Sequence, residues 1–152
     1  MAGNTTPNKA TGSGATASIS QDGTTFKNFA SITKITPPNL TRGTVDVTDL
    51  NSYANNDQMK EYLGDFIEAD EMKIEGFFLG TDDGRTAFET AFYAGTEVTV
   101  KITLPTAIGK TLTVVGVPTS YQPIGEIGSD AGIAFSVGIK PTKKPTLAAT
   151  SP

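Results

Sequence analysis

Alternating apolar and polar positions recur along this chain, and they predict a mainly β protein. The clearest case is Glu97–Leu104, EVTVKITL, in which every second residue is aliphatic, as expected for a strand with one buried face. Weaker versions of the pattern predict the other strands: Ala15–Ser20, Phe26–Thr36, Thr44–Leu50, Asp70–Phe78, Lys110–Val117 and Gly132–Ile139. Pro37 and Pro38 end one of them, because proline has no N–H to donate within a sheet.

One segment has helical spacing instead. Apolar residues recur one, four and five positions apart in the sequence AFETAF at 87–92, which places them on one face of a helix. Asp82 and Asp83 are favourable N-cap residues, and Gly95 stands where a C-cap glycine belongs. The sequence therefore predicts a helix over residues 84–94.

Six or seven strands and one helix predict a β-sandwich or small barrel with a flanking α-helix. The chain has 152 residues, the size of one domain. We expect the β domain to span residues 15–140. Residues 1–14 consist largely of Gly, Ser, Thr, Asn and Pro, and residues 141–152 are a basic stretch punctuated by prolines. We expect both to be flexible arms that do not pack.

The most unusual stretch is Gly43–Phe77, which contains nine acidic and two basic residues. It begins and ends as strand, but the alternation is lost across a predicted loop over residues 51–68. Near the middle, Met59, Tyr62, Leu63 and Phe66 have helix-like spacing for about one turn, and short helix and irregular loop remain equal alternatives. Long loops in compact domains usually serve a function. We expect this one to dock one copy of the protein onto the next.

The sequence offers little catalytic chemistry. It has no histidine and no cysteine, so it lacks the commonest general base, the usual partner that activates a Ser or Cys nucleophile, and the commonest metal ligands. Asp82 and Asp83 are better explained as helix caps than as an acid–base pair, and the acidic stretch lacks the ligand spacing of a calcium loop. We therefore expect no enzyme activity, no cofactor and no metal.

The charge and hydropathy of the chain argue against some classes of binding partner. The net charge of −4 argues against binding nucleic acid through phosphate neutralisation. No stretch approaches the roughly 20 apolar residues that span a bilayer, and the first 15 residues lack the apolar run of a secretory signal. We expect a protein that is not exported and has no membrane partner.

The order of these features resembles the major tail tube proteins of long, flexible-tailed (lambda-type) bacteriophages. The resemblance covers roughly residues 25–140. Its most specific parts are TVDVTDLNS at 44–52 and the junction between the capped helix GRTAFETAFYAG at 84–95 and the strand that follows it. The other parts are the strand that ends at Pro37 and Pro38, the long loop, and the strand Met72–Phe78.

The resemblance implies a structural protein of the virion tail, made in the host cytoplasm. Such subunits form six-membered rings whose inner sheets join into a β-barrel, and the rings stack along a tape-measure protein between terminator and tip proteins. DNA then passes through the lumen without specific binding, which an acidic lumen would favour. The residues that we assign to the lumen are Thr44, Asp46, Thr48, Glu71, Lys73 and Glu75, with outer solvent as the alternative for this face. The expected anchors between rings are Tyr53, Tyr62, Leu63 and Phe66.

Two other functions compete with a self-assembling tube subunit. A monomeric β-sandwich that binds carbohydrate or acts in adhesion would need an exposed aromatic platform, and the chain has no tryptophan and four tyrosines. An enzyme that works with carboxylates alone comes last, because no motif supports it.

Overall fold

The computed structural model describes residues 11–55, 57–129 and 132–150, which contain ten strands and two helices. In chain order they are β1 (Thr16–Ser20), β2 (Lys27–Asn28), β3 (Ile32–Thr36), β4 (Leu40–Asp46), α1 (Ser52–Asn55), β5 (Tyr62–Ala69), β6 (Met72–Phe77), α2 (Asp83–Ala94), β7 (Val98–Thr103), β8 (Lys110–Gln122), β9 (Ala134–Pro141) and β10 (Thr146–Ala149). The first ten residues of the predicted N-terminal arm lie outside the described residues, as do residues 151–152 of the predicted tail.

The chain divides into two compact units. The main unit comprises Met1–Pro37 and Glu71–Pro152, and the hairpin unit comprises Pro38–Asp70. Eight strands of the main unit form one antiparallel sheet in the order β2-β1-β7-β8-β9-β6-β3, with β10 also paired to β8. The hairpin unit holds β4 and β5, which pair only with each other.

The core of the main unit lies on one face of this sheet. Strands from both halves of the sheet order, with β1 and β7 in one half and β6 in the other, contribute buried side chains to a single cluster. Ile19, Val100 and Ile74 are fully buried within it. Because these strands share one core, the sheet folds over its own apolar face. The described part of the chain is mainly β, with 47% strand and 11% helix, and this confirms the predicted fold class.

Helix α2 forms as its end signals predict. The carboxylate of Asp82 accepts a hydrogen bond from the N–H of Arg85 at 3.2 Å and so acts as the N-cap. Gly95 closes the other end in the left-handed conformation, with φ of 71°, which glycine adopts without the penalty that a Cβ would bring. Phe88 on the buried face of the helix is fully buried.

The predicted strand over residues 26–36 is interrupted. Phe29 is buried between β2 and β3, and its ring stacks on that of Phe135 with centroids 6.2 Å apart. Its N–H donates to the carbonyl of Ala17 at 3.1 Å. The chain therefore turns inward at this point, and one predicted strand becomes two short ones.

The prediction of a C-terminal tail that cannot pack is wrong for residues 146–149, which form β10. Its register pairs Thr146 with Thr113 and Ala149 with Lys110, so it continues along the edge of β8 that β9 occupies further on. The turn between β9 and β10 is tied to the main unit by an ion pair of 3.6 Å between Lys143 and Glu97. A four-residue strand leaves a weak pattern in the sequence, because its pairing partner lies more than thirty positions away.

The predicted loop over residues 51–68 is also wrong in its second half, which is strand β5. The reason is a β-bulge. Arg42 pairs with Ile67 and Thr44 with Gly64, so one residue of β4 faces two residues of β5, Asp65 and Phe66. This extra residue breaks the two-residue period and leaves the apolar positions 62, 63, 66 and 67 with helix-like spacing.

Candidate assembly surfaces

The hairpin unit is a two-stranded ribbon whose register fixes which side chains share a face. Val45 lies opposite Leu63, and Asp46 lies opposite Tyr62. Since successive residues of a strand point to opposite faces, the first pair lies on one face of the ribbon and the second pair on the other. Both faces therefore carry apolar side chains.

These apolar side chains are exposed in the isolated chain. The exposed fraction is 84% for Phe66, 59% for Leu63 and 47% for Val45, and it is 98% for Leu50 in the connecting loop. The others are Leu40, Val47, Tyr53, Met59, Tyr62 and Ile67. A two-stranded ribbon is marginally stable by itself in water, and apolar patches of this extent mark interaction sites. The ribbon has the character of a surface that another molecule covers.

The base of the connecting loop is held by a side chain. The N–H of Glu61 donates to Oγ1 of Thr48 at 2.8 Å, and the N–H of Val47 donates to the carbonyl of Glu61 at 3.0 Å. Asp46 accepts a hydrogen bond from the N–H of Thr48 at 2.9 Å. The Thr48 hydroxyl, and then its N–H, lower the pKa of the Asp46 carboxyl below its ordinary value, so this carboxylate stays charged at neutral pH.

Negative charge is concentrated in the hairpin unit. Residues 38–70 contain seven acidic and two basic side chains, a net charge of −5, whereas the whole chain carries −4. The rest of the chain therefore has a net charge of +1. The two units differ in the sign of their charge, and the acidic one is also the one with the exposed apolar faces.

The predicted anchors between rings all belong to this unit, but they do not share one face. Tyr53 lies in α1 and is 68% exposed. Tyr62 and Leu63 are neighbours in β5 and point to opposite faces. Phe66 lies at the bulge. The side chains of the predicted anchors are thus exposed in the isolated chain but face more than one side of the ribbon. Leu40 and Ile67 are further exposed apolar residues of the hairpin unit. The sequence pattern did not identify them, because it did not predict these parts of β4 and β5.

The predicted lumen residues fall into two groups. Thr44 and Asp46 lie two positions apart in β4 and share a face of the hairpin, and Thr48 follows at the base of the loop. Lys73 and Glu75 lie in β6 of the main sheet, on the face opposite the core, since Met72 and Ile74 between and beside them are buried.

Glu71 serves a contact within the main unit. Its carboxylate accepts hydrogen bonds from the hydroxyls of Thr119 and Ser120, next to the irregularity in β8 where the register to β9 shifts. A Cβ on Gly138 would lie 2.6 Å from the carboxyl carbon of Glu71, so this glycine leaves room for the side chain. Glu71 therefore binds the irregular part of β8, and its carboxylate lies close to Gly138 of β9.

The outer face of the main sheet is more positive than predicted. Lys34 lies directly opposite Glu75 in the register between β3 and β6. Lys101 and Lys140 also point away from the core, because their neighbours in β7 and β9 are buried. With Lys73, this face carries four lysines and two glutamates, Glu71 and Glu75.

A buried arginine with polar and aromatic contacts lies at the start of α2. Arg85 is 8% exposed, and its guanidinium donates to the hydroxyl of Tyr121 at 3.3 Å and to the carbonyl of Leu79 at 3.4 Å. It also lies over the ring of Phe78, with Cζ 4.4 Å from the centroid. Burial raises the pKa of Tyr121, which keeps the phenol neutral. These contacts join the helix to two other segments of the main unit.

Sites for metal or membrane insertion are not found in the described part of the chain. Within residues 11–55, 57–129 and 132–150, His, Cys, Asp and Glu side chains nowhere gather in a group of three or more that suits a metal ion. No described helix has the length and apolar character to cross a membrane.

No protein-family model and no curated protein matches this sequence. The structure, however, matches solved structures of particle tails. A chain from the tail of an empty GTA particle, refined with C6 symmetry, superposes with a TM-score of 0.71 at 17% identity, over 93% of this chain and 100% of that one. The chain has the fold of these tail proteins. This confirms, at the level of the fold, the predicted resemblance to tail tube proteins, whereas the resemblance to the lambda type in particular stays a prediction.

Two further structures support the same conclusion about the fold. A chain from the virion of a native gene transfer agent matches with a TM-score of 0.69 and 16% identity, over 93% of this chain and 100% of that one. A chain from the baseplate of the anti-feeding prophage, 6-fold symmetrised, matches with a TM-score of 0.66 and 12% identity, over 97% and 99% of the two chains. These matches span 99–100% of the length of the solved chains.

Proposed function

We propose that this chain is a structural subunit that assembles with copies of itself into stacked six-membered rings, and that these rings form the tail tube of a phage-like particle. The observation that carries the proposal is the hairpin unit, whose two faces expose apolar side chains in a chain that otherwise has a well-formed core. The fold match to a tail structure with C6 symmetry supports the six-membered ring.

The sheet edges support self-assembly as well. Strand β3 ends the order of the main sheet, and β4 and β5 pair only with each other. Each of them therefore presents unpaired N–H and C=O groups along one side in the described part of the chain. Such edges promote aggregation in a monomer, whereas a neighbouring subunit can pair with them and extend the sheet.

The charge distribution bears on the lumen. An acidic lumen would let DNA pass without adhering, because it cannot neutralise phosphates. The outer face of the main sheet has a surplus of lysines, so we propose that the hairpin face with Thr44 and Asp46 lines the channel. The assignment of Lys73 and Glu75 to the lumen remains a prediction.

The proposed partners follow from this role. They are further copies of the chain, a tape-measure protein inside the tube, and the terminator and tip proteins at its ends. The subunit would be made in the host cytoplasm and would act in the tail, where DNA passes through the tube. The proposed role is mechanical and involves no catalysis.

Electron microscopy of the purified protein over a range of concentrations, together with analytical ultracentrifugation, tests this proposal. We expect rings with six subunits each, or hollow tubes of such rings, in equilibrium with monomer. A protein that stays monomeric at the highest concentration it tolerates would contradict self-assembly. Closed rings with another subunit number would contradict the six-fold symmetry alone.

A further inference from the structure

The main unit has an apolar groove beside strand β3. Its volume is about 300 Å³, at the lower end of the range that ligand pockets have. Its lining includes Ile32 and Ile35 of β3, together with Ile102 and Leu104. Thr33 and Lys34 also belong to the lining, and the register of Lys34 with Glu75 places this lysine at the rim, toward the outer face of the sheet.

The hairpin unit carries an exposed apolar side chain with acidic neighbours, which is complementary to an apolar groove with a basic neighbour. Phe66 is 84% exposed, and the bulge at this position opposes two residues of β5 to one of β4. Acidic residues flank it at positions 65 and 68, and both are exposed. An apolar ring between two acids is complementary to an apolar groove that has a lysine at its rim.

The two surfaces are different patches of the same chain. When a patch on one copy binds a different patch on the next, the interface is heterologous, and such contacts build closed rings or open filaments. A symmetric contact between two hairpins would instead bring two segments of net charge −5 together, which like-charge repulsion disfavours. The charges therefore favour hairpin against groove over hairpin against hairpin.

The geometry points to a head-to-tail contact in which Phe66 of one copy enters the groove beside β3 of a second copy, with Lys34 facing the acids at 65 and 68. The inference rests on the proposed self-assembly and adds the receiving site. A filled groove would also place the hairpin beside the unpaired edge of β3, where backbone pairing can extend the contact.

Cross-linking between single-cysteine variants tests this contact, because the chain has no cysteine of its own. One variant carries Thr33→Cys in the groove lining, and a second, tagged variant carries Ile67→Cys beside Phe66. Both are mixed as full-length proteins and treated with a short thiol-specific cross-linker. The matched control replaces the first partner with Tyr93→Cys, a residue of α2 that is 75% exposed.

We expect the tagged heterodimer to form at least severalfold more from the groove pair than from the control pair. Adding Phe66→Ser to the tagged variant, or Lys34→Glu to its partner, should lower this yield toward the control. Replacing the acids at 65 and 68 by lysine in the tagged variant should restore the yield with the Lys34→Glu partner. A variant that carries both cysteines should give a ladder of oligomers.

Equal yields from the two mixtures would overturn the inference, and so would an excess of homodimers of the Ile67→Cys variant. The result is separable from the proposed function. Tubes in the microscope without the specific cross-link would leave the tube subunit in place and remove the groove as its receiving site. A specific cross-link without rings or tubes would establish the head-to-tail contact and contradict the tube.

Discussion

Thr48 and Glu61 are joined across the connecting loop of the hairpin by two hydrogen bonds. The N–H of Glu61 donates to Oγ1 of Thr48 at 2.8 Å, and the Thr48 hydroxyl donates to the carbonyl of Glu61 at 3.3 Å. One side chain thus satisfies both backbone groups of a residue thirteen positions away. The loop that follows begins and ends at this pair.

Replacing Thr48 by valine keeps the shape of the side chain and removes both hydrogen bonds. We expect the free energy of local opening to fall by about 2 kcal/mol, because two hydrogen bonds are lost and each contributes about 1 kcal/mol net. The amide of Val47, which donates to the carbonyl of Glu61, should then exchange its hydrogen roughly thirtyfold faster. Hydrogen exchange measured by NMR checks this. Thr48→Ser is the control, and equally fast exchange there would contradict the role of the hydroxyl.

Asp82 and Asp83 should differ sharply in their contribution to stability. Asp82 is 2% exposed and accepts hydrogen bonds from the N–H groups of Arg85 and Ala30, each at 3.2 Å. Asp82→Ala removes the cap and leaves two donors without this partner, which should lower the free energy of unfolding by roughly 2 kcal/mol. Asp83 is exposed at the first helical position, and Asp83→Ala should cost less than about 1 kcal/mol.

Urea unfolding followed by circular dichroism measures both changes. Asp82→Asn should recover most of the loss, because asparagine caps helices about as well as aspartate. Equal losses in the alanine variants of Asp82 and Asp83 would contradict the assignment of the N-cap.

Gly76 and Gly80 offer a matched test of packing at the end of β6. A Cβ on Gly76 would clash with the carbonyl oxygen of Ser31 and would lie 2.9 Å from the ring of Phe135, whereas a Cβ on Gly80 would meet nothing within 4 Å. We expect Gly76→Ala to lower the free energy of unfolding by at least about 1–3 kcal/mol, the usual cost of overpacking. Gly80→Ala should leave the melting temperature almost unchanged. Differential scanning calorimetry compares the two, and similar melting temperatures would refute the close approach.

How far the sequence predicts this structure depends on how local each signal is. The helix was predicted because its capping residues and apolar face lie within fourteen residues, and β7 because it alternates without interruption. β5 was missed because the bulge at Phe66 changes the spacing of its apolar residues. β10 was missed because it depends on pairing with β8, which no local pattern encodes.

The same distinction, between local signals and contacts that depend on distant residues, applies to the candidate surfaces. The acidic character of the hairpin and the candidate anchors could be read from composition and residue type. Which of them share a face could not, because the answer depends on the register of β4 and β5: Tyr62 and Leu63 separate, while Thr44 and Asp46 stay together. The groove beside β3 needs Ile35 and Leu104 to meet across the fold, and that proximity has no signature in the sequence.

Tyr121 should make stability depend on alkaline pH. Burial raises the pKa of its phenol above the ordinary value near 10, so the folded state holds this proton more tightly than the unfolded state. The resulting stability is fully present below pH 10 and is lost as the pH rises from there through the folded pKa. We expect the native protein to lose more stability than Tyr121→Phe between about pH 9.5 and 11.5. Urea midpoints across this range test the difference.

Tyr93→Phe is the control, because Tyr93 is 75% exposed on α2. Its pH profile should follow that of the native protein. A Tyr121→Phe profile that runs parallel to the native one would show that ionisation of this phenol is not linked to folding. Since the Tyr121 hydroxyl also accepts a hydrogen bond from Arg85, the phenylalanine variant should in addition be less stable at neutral pH by about 1 kcal/mol.

Assembly should depend on side chains that the folded monomer does not need. Leu63 and Phe66 are 59% and 84% exposed, so replacing both with serine removes little buried area and should change the melting temperature of the monomer by no more than about 2 °C. The same change should abolish rings and tubes, because an assembled subunit would bury both side chains.

Sedimentation velocity at matched concentrations compares this variant with the native protein. Tyr93→Ser, at similar exposure on α2, controls for the loss of an exposed apolar side chain. Normal assembly of the hairpin variant would show that these residues do not form the contact, whereas a monomer that fails to fold would show that they stabilise the hairpin itself.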